Sequence, residues 1–186
     1  MVYLEIKKFN ESIEYLNKSI EVKKKLNDLY DDQTLAFELN QFGMICTDID
    51  KLEDAIEFFI QSLYYYRKIF GDKDDNLIVF RVLYNLGDVF FKKENFEIAL
   101  DYYQYCLDIM KLIDSSNNLI FSSLYYQIGE IFNKFNKYDE SLSNYQNSVN
   151  ILRNVYGNND YESISIVLNS IIQLVKRQFE SENIIH

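Results

Sequence analysis

The sequence has no proline and no tryptophan, and only five glycines among its 186 residues. Without proline, no covalent constraint interrupts a helix. Helices can therefore run long, and turns fall to Asn, Asp, Ser and Gly. Cysteine is scarce as well. Cys46 and Cys106 belong to no CxxC or Cys/His cluster, so neither a zinc site nor a disulfide framework is indicated. Free, core-facing thiols suit a reducing compartment. The single histidine, His186, is the last residue, which leaves histidine-dependent acid–base or nucleophilic catalysis without its usual side chain. GxSxG, GxxxxGK[ST] and GxGxxG are all missing. No stretch approaches 18 uninterrupted apolar residues, and the start, MVYLEIKKFNES, has no apolar signal core. A soluble, cytoplasmic, non-enzymatic protein is the expectation, with no cofactor, no metal and no membrane contact.

Basic charge is also in short supply. Nineteen Lys and Arg stand against 29 Asp and Glu, for a net charge of −10. Duplex nucleic acid needs a basic face, so it is not an expected partner. The densest basic run, Lys23-Lys24-Lys25, reads as a solvated helix face. Asp48, Asp50 and Asp54 lack the central glycine and terminal Glu of a calcium loop and read as turn acids.

What the chain does have is apolar content, 48%, with 16% aromatic residues, enough for a substantial core. It also has a ruler. Gly43, Gly87 and Gly129 are spaced 44 and 42 residues apart in similar text: ELNQFGMIC, VLYNLGDVF, LYYQIGEIF. Four before each glycine stands Leu39, Leu83 or Tyr125; one before, Phe42, Leu86 or Ile128; three after, Cys46, Phe90 or Phe132. These offsets share one helical face. A second face follows at plus nine, twelve, sixteen and nineteen: Leu52, Ala55, Phe59, Ser62; Phe96, Ala99, Tyr103, Cys106; Tyr138, Ser141, Tyr145, Ser148. Polar breaks at 47–50, 92–95 and 134–137 separate the faces. Each unit is thus helix, turn, helix, and a fixed period of this kind marks a repeat array. The glycine and small-residue columns predict close approach of the two helices.

These columns resemble the tetratricopeptide repeat, and the 42–44-residue period is similar to its long kinesin light chain variant. The resemblance implies an all-α fold, a right-handed superhelical solenoid of antiparallel helix pairs. One solenoid is expected over 1–186: a partial repeat at 1–30, repeats at 31–73, 74–116 and 117–158, and a capping or truncated repeat at 159–186. Residues 9–29 carry a second-helix pattern (Phe9, Ser12, Leu16, Ser19, Ile20) whose glycine would precede Met1. At the other end, a 42-residue shift puts Ile171 in the glycine column. The expectation is therefore a fragment of a longer protein, or one that pairs through its ends into a homodimer.

In this family the first helices line a concave surface for peptides. Offsets six, three and two before the glycine, and one and four after it, should face that groove. They give Phe37, Asn40, Gln41, Met44 and Thr47, then Arg81, Tyr84, Asn85, Asp88 and Phe91, then Ser123, Tyr126, Gln127, Glu130 and Asn133. The column two before the glycine holds only amides: Gln41, Asn85, Gln127 and, by the shift, Asn169. Amides donate and accept, so such a ladder can pair with an extended peptide backbone. The family's chaperone-tail clamp is matched at Asn85, while Asn40, Met44, Ser123 and Gln127 stand at its other positions. The leading functional expectation is a scaffold that binds a protein or peptide in this groove. The alternatives are self-association through the apolar last helix, and a peptide-sensing regulatory fragment.

Overall fold

The computed structural model describes residues 32–71, 76–113, 118–157 and 161–184, together with Glu11, Glu14 and Lys18. The rest of the expected partial repeat at 1–30, and loop residues 72–75, 114–117 and 158–160, lie outside them. The described residues form helices and no strands: α1 (Asp32–Asp48), α2 (Leu52–Phe70), α3 (Leu77–Lys92), α4 (Phe96–Ile113), α5 (Asn118–Lys134), α6 (Tyr138–Tyr156) and α7 (Tyr161–Ile184). They fall into two compact units, Met1–Asp72 with α1 and α2, and Lys73–His186 with α3 to α7. Within each unit, neighbours in sequence pack on each other: α1 on α2, and in the second unit α3 on α4, α4 on α5, α5 on α6 and α6 on α7. The all-α class of helix pairs expected from the repeat is the class found.

Each pair reverses through the same turn. The residue seven after the glycine is left-handed: Asp50 (φ 64°), Glu94 (φ 58°) and Asn136 (φ 57°). The next amide reaches back five residues. Lys51 N donates to Cys46 O at 2.8 Å, Asn95 N to Phe90 O and Lys137 N to Phe132 O at 2.9 Å each. This is the Schellman closure, which satisfies carbonyls left over at the helix end. Asn is at ease in that conformation, whereas Glu is strained by about 1 kcal/mol or more. Glu94→Gly is therefore expected to stabilise the protein by about 1 kcal/mol, less the entropy glycine adds to the unfolded chain. Urea melts check this, and an unchanged or lower midpoint refutes it. The long helices stop at glycines too: Gly71 (φ 85°) and Gly157 (φ 64°) donate to Arg67 O and Arg153 O. Helix α3 starts at Asn76, whose Oδ1 accepts from Ile78 N at 2.7 Å.

The ruler glycines do make a close approach, and an aromatic ring fills it. A Cβ at Gly43 would sit 2.6 Å from the Phe59 ring, at Gly87 2.8 Å from Tyr103, and at Gly129 2.7 Å from Tyr145. The plus-sixteen aromatic ring therefore packs against the bare backbone of the first helix. Beyond it, a polar rung joins the helices. Ser62 Oγ donates to Ala36 O at 2.6 Å, Cys106 Sγ lies 3.9 Å from Phe80 O, and Ser122 Oγ donates to Ser148 O at 3.1 Å. In α1 and α2 the paired positions run in opposite senses (43 with 59, 36 with 62), so the helices are antiparallel. Helix α7 buries Ile164, Val167 and Leu174 in a cluster with Tyr145, Val149 and Leu152 of α6. Ile171, the residue in its glycine column, packs half-buried at the edge of that cluster.

Candidate functional site

In the first unit, Phe37, Gln41 and Met44 are exposed on α1. Asn40 is not: it is 6% exposed, with Nδ2 3.7 Å from Met44 Sδ. Thr47 Oγ1 turns back to donate to Gly43 O at 2.8 Å.

In the second unit, Arg81, Ser123 and Asn169 are exposed, while Tyr84, Asn85, Asp88, Phe91, Tyr126, Gln127, Glu130 and Asn133 are half-buried. Several of them tie the first helices together. The Gln127 side chain on α5 acts on the Tyr84 phenol of α3, opposing the burial that raises it. Tyr126 Oη and Ser170 Oγ lie 3.3 Å apart between α5 and α7, and Arg177 Nη1 donates to Asn133 Oδ1 at 3.4 Å. Gln127 of the amide ladder is thus already engaged, and Asn169 is its most open member in this unit. Phe91 sets an edge against Phe96 at 5.4 Å.

The two acids of the expected groove are held by tyrosines. Tyr103 Oη donates to Asp88 Oδ1 at 2.5 Å, and Tyr145 Oη to Glu130 Oε1 at 2.5 Å. Burial pushes the Asp88 carboxyl up to about 6, against the opposing pull of the Tyr103 hydrogen bond and Lys92. Burial, then Asp88, pushes the Tyr84 phenol up to about 12. The Tyr103 and Tyr145 phenols are raised as well, by burial first and then by their acids. The first unit carries Met44 and Phe59 at these two positions, so acid and hydroxyl change together.

Between α3 and α5 lies a trough of about 390 Å³, lined by Leu77, Phe80, Arg81, Tyr84, Leu119, Ile120 and Ser123. Leu77 and Leu119, 44% and 40% exposed, were missed by the sequence reading. Both stand ten before a glycine, one turn upstream of the Arg81 and Ser123 column. Extending the groove stripe by that turn reaches them. Among the described residues, no group of three His, Cys, Asp or Glu side chains could hold a metal, and no helix is long and apolar enough to cross a membrane. Both thiols are buried. Burial raises Cys46 to about 11 and Cys106 further, so neither is poised as a nucleophile.

A tetratricopeptide repeat model matches residues 33–112, and a second matches residues 1–26, together more than half of the chain. The chain belongs to the tetratricopeptide repeat family. No curated protein is similar enough in sequence to match this tetratricopeptide repeat protein. Solved structures show the same fold. BtubC (BKLC) from P. vanneervenii superposes with a TM-score of 0.76 at 16% identity, over 93% of this chain and 67% of that one. A Podosopora anserina kinesin light chain-type protein with nearly identical TPR-like repeats gives 0.71 at 9% identity, over 97% and 84%. The Arabidopsis OM64 TPR domain gives 0.54 at 12% identity, over 76% and 98%. The long-repeat helical fold is what these structures share with this tetratricopeptide repeat protein.

Proposed function

We propose that this tetratricopeptide repeat protein is a non-catalytic scaffold that takes an extended segment of a partner protein on the first-helix face of its second unit. The observation that carries this reading is the apolar trough between α3 and α5, with Arg81 as the one charged residue among the described residues that line it. Leu77 and Leu119 offer apolar anchoring, which is where interface energy concentrates. Asn85, Gln127 and Asn169 stand alongside as backbone partners. The buried thiols fit a reducing compartment, the cytoplasm.

Panning a random-peptide library against the wild type should enrich a family of sequences. Their affinity should fall about five- to thirtyfold for Leu77→Ser/Leu119→Ser, since removing two exposed anchors costs roughly 1–2 kcal/mol. Equal affinity for both proteins overturns the reading. The exposed Ile166, Ile172, Val175 and Phe179 of α7 favour a second reading, pairing of two copies through this helix. Light scattering then gives a dimer mass that Ile172→Lys/Phe179→Lys reduces to a monomer, and a monomeric wild type at high micromolar concentration rules it out.

A further inference from the structure

The trough between α3 and α5 has an aromatic wall, and the wall has a support behind it. Phe80 and Tyr84 line the trough, with ring centroids 6.1 Å apart. Behind Tyr84 stands Tyr103 of α4, its ring 5.6 Å away and tilted by 55°. Tyr103 is fully buried against the bare backbone at Gly87. Its hydroxyl donates to Asp88 Oδ1 at 2.5 Å. Asp88 lies one turn beyond Tyr84 on α3 and is not one of the described residues lining the trough.

The repeats show that these parts go together. The columns are three before the glycine, one after it and sixteen after it. The second repeat has Tyr84, Asp88 and Tyr103 there, and the third has Tyr126, Glu130 and Tyr145. The third keeps the contacts as well: Tyr145 Oη donates to Glu130 Oε1 at 2.5 Å, and its ring lies 5.8 Å from Tyr126. The first repeat has Asn40, Met44 and Phe59 in the same columns. A tyrosine therefore stands on the first-helix face where an acid holds the tyrosine behind it, and gives way to an amide where neither is present.

A hydrogen bond to a carboxylate is stronger than one between neutral groups, so Asp88 fixes the far end of the Tyr103 side chain. A ring fixed at both ends is a firm backing for the ring that packs on it. A wall already in place costs nothing to order when a segment arrives.

We propose that Asp88 is a positioning residue for the trough: it holds the Tyr103 hydroxyl, Tyr103 holds the Tyr84 ring, and Tyr84 presents a fixed wall to the bound segment. This role rests on the trough being the segment's seat, and adds the residue that shapes it. What Asp88 supplies is an acceptor oxygen rather than a charge, and Asn supplies the same oxygen.

Calorimetry on the full chain at pH 8, with the peptide enriched by panning on the wild type as probe, tests the role. Asp88→Ala should weaken binding about three- to tenfold, the loss expected when the wall stands in its binding position only about a third to a tenth of the time. Tyr103→Phe keeps the ring and drops the hydroxyl. It should weaken binding to the same degree, and it serves if Asp88→Ala does not fold. Asp88→Asn should stay within about twofold of the wild type. Glu130→Ala deletes the equivalent bond behind Tyr126, which is not one of the described residues lining this trough, and should leave affinity unchanged. Equal losses from Asp88→Ala and Glu130→Ala mean general loosening and overturn the proposal. Equal losses from Asp88→Ala and Asp88→Asn mean a direct charge contact and overturn it as well. No loss in Asp88→Ala, with Leu77→Ser/Leu119→Ser still impaired, overturns it and leaves the trough reading standing. NMR of the Tyr84 ring needs no ligand and judges the linkage even when no peptide is enriched. Ring flipping should be several-fold faster in Asp88→Ala and Tyr103→Phe than in the wild type or Asp88→Asn, and one rate in all four overturns the proposal.

Discussion

Replacing Gly87 with Ala is expected to lower the melting temperature by about 4–8 °C, the equivalent of about 2 kcal/mol in a chain of this size. Ala is the better helix former by about 1 kcal/mol, so propensity alone predicts the opposite sign. The clash decides it. The new methyl would lie 2.8 Å from Tyr103 Cε1, 3.0 Å from Cδ1 and 3.3 Å from Tyr102 Cβ. Overpacking a rigid site costs about 1–3 kcal/mol, and this one belongs at the upper end. The Tyr103 ring is fully buried, packs on Tyr84 at 5.6 Å, and is anchored through its hydroxyl to Asp88. It has nowhere to swing. In a Tyr103→Leu background the same glycine change should cost less, and a double-mutant cycle by thermal melts measures the difference. Equal costs in the two backgrounds, or a higher melting temperature for Gly87→Ala, would show that the ring does not set the glycine column.

Asp88→Asn is expected to stabilise the protein at pH 8 and to lose about half of that advantage as the pH falls to 5. Burial raises the Asp88 carboxyl from 3.8 to about 6. Between those values the folded state holds a proton that the unfolded state has released. Stability then falls as pH rises, and the full penalty is present above about 6. The shift sets a ceiling of about 3 kcal/mol on that penalty. Asn keeps the oxygen that accepts from Tyr103 and removes the charge. Urea melts of both proteins at pH 5 and pH 8 give the comparison. A stability difference that does not change with pH would contradict the assignment.

Much of the fold is written in the glycine ruler. The columns at minus four, minus one and plus three, with their partners at plus twelve to nineteen, are the residues that meet between paired helices. Their visibility has a simple cause: each column must satisfy the same local packing in every repeat. The candidate site was less legible. Asp88 and Glu130 stand at groove-facing spacing and read as peptide contacts. Each instead receives a hydroxyl carried across the helix pair on a long ring, a contact that no single column contains. The signal lay in two columns together, with Met44 and Phe59 apolar in one repeat and acid with tyrosine in the other two. Asn40 misled for the opposite reason. Its column holds tyrosines in the other repeats, whose rings stay partly open, and a short amide there is covered instead.

The serine and cysteine rung has a kinetic consequence. Its three instances join residues 26 positions apart, each within one helix pair. Contact order is correspondingly low, and closing so short a loop carries a small entropic cost. Each hairpin can nucleate from its own sequence and then grow by adding a neighbour. The speed of folding is then set by the length of one hairpin rather than by the length of the chain.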